Sequence, residues 1–289
     1  MSADVAWMEP TQPGDHYADY CQWPYDPLAP TGGKLRQASL LWASLQAAGA
    51  HPYVTAACRQ LRTVLGPFRT VYGVKLQDGR LSFEFYFYDY ARLDRALSIP
   101  KVLAALSPYV ICDLPSVERR PYFMFSLDLD TPVVTGKAPL AEIDVYLGNP
   151  GSTVSSGMCY AHRSEGMELK NLYYFFDARL ELSQIADKVA TNAHLDAPSD
   201  LSAVLWQELL DCGVIVVANK RRHDGVYFSR IRSSQLGQFF MRAGWPAEIQ
   251  ALHALNAHHF EHLLFDIGID YAVKDGRAVI RKTAFYGLL

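Results

Sequence analysis

The 289-residue sequence has no apolar run approaching the ~20 residues that span a bilayer, and no excess of positive charge: 27 Lys and Arg stand against 30 Asp and Glu. A membrane-spanning helix and an electrostatic footprint for nucleic acid are both missing, so neither partner is expected. The five cysteines, Cys21, Cys58, Cys112, Cys159 and Cys212, include no C-x-x-C pair and leave one over if paired. That usage suits a reduced chain. The opening MSADVAWMEP lacks a cationic segment followed by an apolar one, so no secretory signal is read and a cytoplasmic location is expected. No Gly-rich phosphate loop, G-x-S-x-G elbow or zinc spacing is present either.

What the chain has is aromatic residues, 17 Tyr and 14 Phe among them, concentrated in paired strand-like runs. The pattern is clearest in Phe68 to Tyr90, FRTVYGVKLQDGRLSFEFYFYDY, where two β-rich runs flank Asp78-Gly79 and spell a hairpin. In its second run Phe83, Phe85 and Phe87 alternate with Ser82, Glu84, Tyr86 and Tyr88. One face of that strand is apolar, and the other carries hydroxyls and a carboxylate, as expected of a wall around an enclosed, partly wet space.

Four further hairpins follow: Tyr122 to Asp130 with Ala141 to Leu147, Met158 to Arg163 with Glu168 to Phe176, Val214 to Arg222 with Val226 to Ile231, and Asp266 to Val273 with Ala278 to Gly287. Four of the five turn on an acidic residue plus glycine, the later ones at Glu165-Gly166, Asp224-Gly225 and Asp275-Gly276. Helical periodicity appears before and between them, over Lys34 to Leu65, Ala91 to Leu106 with a break at Pro100, Leu182 to Ala193, Leu201 to Asp211 and Ser234 to Leu264. A recurring strand, turn, strand and helix predicts a repeat-built α+β fold, an antiparallel barrel of about ten strands inside a helical layer. Residues 1–33, rich in Pro, Gly and Asp without periodicity, are expected to form an irregular arm, and 34–289 one barrel domain.

Charge-then-tyrosine pairs four apart recur in the second strands: Glu84 and Tyr88, Glu142 and Tyr146, Lys170 and Tyr174, Lys282 and Tyr286. Residues four apart share a strand face, so in a barrel these charges and tyrosines line one lumen. Lys75, His162 and Arg221 each stand four residues before a turn glycine and extend the cationic set. The second hairpin instead offers Asp128, Asp130, Glu142 and Asp144.

A cyclic array of strand pairs with charged and tyrosine side chains turned inward resembles the ABBA-type aromatic prenyltransferases, including the small peptide prenyltransferases of similar length, over about residues 34–289. The resemblance implies transfer of an isoprenyl group from an allylic diphosphate to an aromatic small molecule or peptide side chain. It implies Glu84 as the carboxylate that deprotonates the acceptor, and Lys75, His162, Lys170, Arg221 and Lys282 as the diphosphate clamp. Tyr86, Tyr88, Tyr174, Tyr227 and Tyr286 would shield the carbocation. No cofactor is required on this reading, with magnesium an option at Asp128 and Asp144, which could bridge the diphosphate. The acidic second hairpin keeps two alternatives open: a barrel that binds a small aromatic or cationic metabolite without prenyl transfer, and a metal-dependent hydrolase. His258, His259 and His262 include an i, i+4 pair with Asp266 following, but without the Glu of H-E-x-x-H they read as structural.

Overall fold

The computed structural model describes residues 7–149, 155–192, 200–275 and 277–289. Its centre is a closed ten-stranded antiparallel barrel: β1 (Val71–Gln77), β2 (Arg80–Tyr88), β3 (Met124–Asp128), β4 (Ile143–Gly148), β5 (Ser156–Arg163), β6 (Gly166–Asp177), β7 (Val214–Lys220), β8 (Asp224–Arg232), β9 (Leu264–Lys274) and β10 (Arg277–Leu288). Each strand pairs with its chain neighbours, and β10 closes on β1, with Val71 opposite Leu288 and Leu76 opposite Thr283. Closure leaves none of these ten strands with an unpaired edge.

The first hairpin turns as its sequence dictates. Asp78 and Gly79 both adopt positive φ, 50° and 73°, the geometry that matches the twist of the flanking strands. The fourth hairpin does not turn at Asp224-Gly225. Asp224 pairs with Asn219 and Gly225 with Ala218 inside the ladder, so the reversal falls on Arg221, Arg222 and His223. Gly276 of the fifth turn lies outside the described residues.

Helices coat the barrel: α1 (Ala38–Ala47), α2 (Pro52–Leu65), α3 (Ile99–Leu106), α4 (Thr131–Val134), α5 (Leu182–Ala190), α6 (Ser233–Arg242), α7 (Ala247–Leu255) and α8 (Ala257–Phe260). Pro100 does not break a helix spanning Ala91 to Leu106. It sits in the first turn of α3, where proline costs no hydrogen bond, behind the Ser98 cap. The expected helix over Leu201 to Asp211 is two short 3-10 turns, Leu201–Ala203 and Gln207–Leu209, the first capped by Asp200. Ala193 and Pro198 lie outside the described residues.

The apolar core fills the space between the outer barrel face and the helices. Phe83, Phe85, Phe87 and Phe125 are buried there with Val217, Phe228, Ile267 and Phe285. A hydrophobic strand face on a helical stripe is the arrangement that removes both from water. No helix among the described residues is long and apolar enough to cross a membrane.

Candidate active site

The inner face of the barrel is built in two layers. One is a belt of five tyrosines, one from the second strand of each hairpin: Tyr86 on β2, Tyr146 on β4, Tyr173 on β6, Tyr227 on β8 and Tyr286 on β10. Neighbouring rings follow one another at centroid distances of 6.1 Å (Tyr146 and Tyr173), 6.2 Å (Tyr173 and Tyr227), 6.4 Å (Tyr227 and Tyr286) and 5.8 Å (Tyr286 and Tyr86). Two strand glycines make room for them. A Cβ on Gly268 would stand 2.7 Å from the Tyr227 ring, and one on Gly73 would stand 2.8 Å from Tyr286.

A sixth ring enters from the leading segment. Tyr20 packs edge-on against Tyr86 at 5.2 Å, Tyr88 at 5.8 Å and Tyr286 at 4.7 Å. Its backbone N–H donates to Asp266 on β9 at 2.8 Å, and the neighbouring Asp19 carboxylate accepts from Arg230 at 2.8 Å. Arg230 reaches it from a bulge in β8, with φ at +64°. The segment expected to form an irregular arm thus inserts a side chain into the barrel.

The second layer is ionic. Lys75 contacts Glu84 at 3.3 Å and Asp128 at 2.5 Å, and Lys170 bonds Glu142 and Asp144, both at 2.7 Å. Asp270 receives Lys220 at 2.6 Å, Lys282 at 2.8 Å and His223 at 3.2 Å. Each lysine of the layer therefore meets at least one carboxylate. Glu84 sits between the layers, accepting hydrogen bonds of 2.6 Å from both the Tyr86 and Ser126 hydroxyls. Burial pushes its carboxyl up, but Lys75 and these two donors outweigh burial and hold it at about 2. Burial, with Lys282 as a like-charged neighbour, brings Lys220 down to about 8 despite Asp270. The tyrosine hydroxyls of the belt are raised first by burial and stay protonated.

Above the belt lies a cavity of about 280 Å³, bounded by Tyr86, Tyr146, Tyr173, Tyr227 and Tyr286 below and by Tyr90 and Trp23 at its mouth. Its wall is mostly apolar and aromatic, as small-molecule sites usually are.

Of the residues singled out in the sequence, Glu84, Lys75, Lys170, Lys282, Tyr86, Tyr88, Tyr227, Tyr286, Asp128 and Asp144 come together on this inner face. Tyr174, His162 and Arg221 do not. A bulge where Cys159 and Tyr160 face Asn171 and Leu169 puts Lys170 out of step with the ladder, so Tyr173 points inward and Tyr174 outward, beneath Lys188 at 4.4 Å. His162 is on the helix side, bonded to the Pro115 carbonyl at 2.7 Å. Arg221 is in the turn, paired with Glu168; because that turn is displaced, the inward cation is its neighbour Lys220. Tyr20, Tyr173, Lys220, Asp266 and Asp270 were missed. Tyr173 and Lys220 were one residue away; nothing local marks Tyr20.

Among the described residues no three His, Cys, Asp or Glu side chains are grouped to hold a metal ion. His262 is fully buried beside Tyr17, and α8 ends before it, so the histidine pair does not share a helical face.

No family model and no curated protein matches this sequence. Its fold does have solved counterparts. The chain superposes on the crystal structure of AnaPT from Neosartorya fischeri with a TM-score of 0.55, covering 87% of this chain and 92% of that one at 11% identity. The fold is that of the ABBA aromatic prenyltransferases, a closed ten-stranded barrel within helices.

Proposed function

We propose that the protein transfers an isoprenyl group from an allylic diphosphate to an aromatic small molecule or a peptide side chain. The observation that carries this reading is the belt of five tyrosines with Glu84 directly beneath it in a closed barrel. Breaking the allylic C–O bond leaves a carbocation that water would destroy, so the site must exclude water and offer π faces instead. Tyrosines kept protonated by burial are poor nucleophiles and good shields. The acceptor ring attacks the cation, and Glu84 takes the proton lost when aromaticity returns. A carboxylate held at about 2 is basic enough for that step, because a protonated arene is a far stronger acid.

The leaving diphosphate must find cations, and the ionic layer supplies Lys75, Lys170, Lys220 and Lys282. Each already has a carboxylate, so phosphate oxygens would displace or share it. Magnesium suits that exchange: it binds through one or two carboxylates together with substrate phosphates, and Asp128 and Asp144 are hard oxygen donors in the layer. It would neutralise charge on the leaving group.

The carboxylate-paired lysines also favour a second reading, a barrel that binds a neutral or cationic aromatic metabolite and has no phosphate site. Incubation with dimethylallyl and geranyl diphosphate, with and without magnesium, against indoles, phenols and short aromatic peptides separates the two. A product heavier by one isoprene unit with the dimethylallyl donor, or by two with the geranyl donor, supports transfer. Absence of product from every pair, together with thermal stabilisation by aromatic amines and none by a non-hydrolysable diphosphate analogue, would select the metabolite-binding barrel.

A further inference from the structure

Among the described residues two charged side chains line the cavity, Arg92 and Asp266. Asp266 is already committed, accepting the backbone N–H groups of Tyr20 at 2.8 Å and Arg230 at 3.3 Å. Arg92 is not. Among the described residues its guanidinium has neither an ion-pair nor a hydrogen-bond partner, in contrast to the four lysines of the ionic layer. Its position is nonetheless built. Arg92 has φ of +57°, a conformation that non-glycine residues adopt at a cost. The loop that imposes it is fixed by Asp89, whose carboxylate accepts from the N–H groups of Ala91, Ala96 and Leu97 at 3.0, 2.8 and 3.0 Å. Arg95 donates to the Arg92 carbonyl at 2.6 Å. The result carries the guanidinium across the mouth to β4, where a Cβ on Gly148 would lie 3.6 Å from Nη2.

Beside it is an aromatic ledge. Tyr90 stacks on Phe123 at 5.5 Å with rings 7° from parallel, and the Tyr90 hydroxyl donates to the Cys21 carbonyl at 2.8 Å. Trp23 and Tyr90 remain 45% and 48% exposed, which for rings at a cavity entrance leaves flat surface for a ligand to cover.

We infer that Arg92 and this ledge form a subsite for an acceptor that carries a carboxylate on a short arm from its aromatic ring. The ring lies against the tyrosine belt and the carboxylate takes a two-pronged contact from Arg92, a geometry guanidinium matches and ammonium does not. Acceptors of the same shape without the negative charge are discriminated against at the mouth. The inference deepens the acceptor side of the proposed reaction and rests on the cavity being the acceptor site, although its test needs no prenyl transfer.

Calorimetric titration with indole-3-propionate and its neutral amide is the test, on the wild type, Arg92→Asn and Arg92→Lys. Asparagine tolerates the left-handed backbone, so Arg92→Asn removes charge without forcing the loop, and an unchanged melting temperature checks this. The acid should bind the wild type about 10- to 100-fold more tightly than the amide, as one charge-assisted contact allows. That preference should vanish in Arg92→Asn through loss of acid affinity alone and return in part in Arg92→Lys. Equal binding of acid and amide to the wild type, or no saturable binding of either, overturns the inference. So does an acid preference that survives in Arg92→Asn, or a loss in that variant of inorganic pyrophosphate binding instead, which would give the guanidinium to the donor. Acid preference without any isoprenyl product would leave the subsite standing and remove the transferase reading.

Discussion

The Tyr86 hydroxyl donates to Glu84 Oε2 at 2.6 Å from two residues further along β2, a spacing that puts both side chains on one strand face by the pleat alone. Ser126, across the ladder on β3, holds the other carboxylate oxygen at 2.6 Å. The carboxylate is thus positioned from both sides and kept charged by Lys75.

For Glu84→Gln we expect turnover to fall roughly 10²–10⁴-fold, the usual worth of a positioned proton acceptor, while affinity for a diphosphate analogue stays within a few-fold. With Glu84 at about 2, turnover of the wild type should show no limb near pH 4 that belongs to this group. Steady-state kinetics on the variant, with analogue binding measured with and without magnesium, checks both. Unchanged turnover would take Glu84 out of the reaction; affinity loss coupled to magnesium would make it a metal ligand.

Asp270 is 2% exposed and receives two lysines and a histidine. Asp270→Asn should destabilise the protein by about 3–5 kcal/mol, because removing one partner of a buried ion pair leaves the other charge uncompensated. Adding Lys220→Gln should recover part of that loss. Denaturant unfolding of both variants gives the numbers, and additive losses would mean that the two residues are not coupled.

Gly268 faces Tyr227 so closely that a methyl group would stand 2.7 Å from its ring. Gly268→Ala should cost about 1–3 kcal/mol by overpacking and displace Tyr227 from the belt. We expect turnover to fall more than in Tyr227→Phe, which keeps the ring in place. A Gly268→Ala variant with wild-type stability and turnover would mean that the belt adjusts freely.

Burial, and then the neighbouring Asp19 carboxylate, raises Asp266 to about 7, against the hydrogen bonds it accepts. An unfolded Asp titrates near ~3.9. Between about pH 4 and 7 the unfolded chain has therefore released a proton that the native state still holds, so stability falls as pH rises. The slope from this group is up to about 1.4 kcal/mol per pH unit. Unfolding free energies across that range should show this component in the wild type and lack it in Asp266→Asn. Identical slopes would assign the raised value to another group.

The five hairpins, their apolar outer faces and the inward Glu84, Tyr86 and Tyr286 were legible in the sequence because each follows from local rules. A strand alternates every residue, Asp78-Gly79 favours the turn that β1 and β2 need, and ten such strands with helices between them leave few ways to bury their apolar faces. Asp-Gly or Glu-Gly signals marked four of the five hairpins, although Asp224-Gly225 lies inside the ladder and Gly166 already pairs with Arg163 at the start of β6.

Only the tertiary structure decided which side chains met. The bulge at Lys170 exchanged Tyr174 for Tyr173, and the shifted fourth turn exchanged Arg221 for Lys220, since one inserted residue reverses every later side chain on a strand. Ion pairs such as Lys220 with Asp270 join residues fifty apart, and Tyr20 reaches Asp266 from 246 positions away. Alternation is a property of neighbouring peptides and can be read along the chain. The sign of the lumen, the sixth ring in its belt and the charge of Arg92, unmatched among the described residues, arise only when the closed barrel and its leading segment bring distant residues into contact.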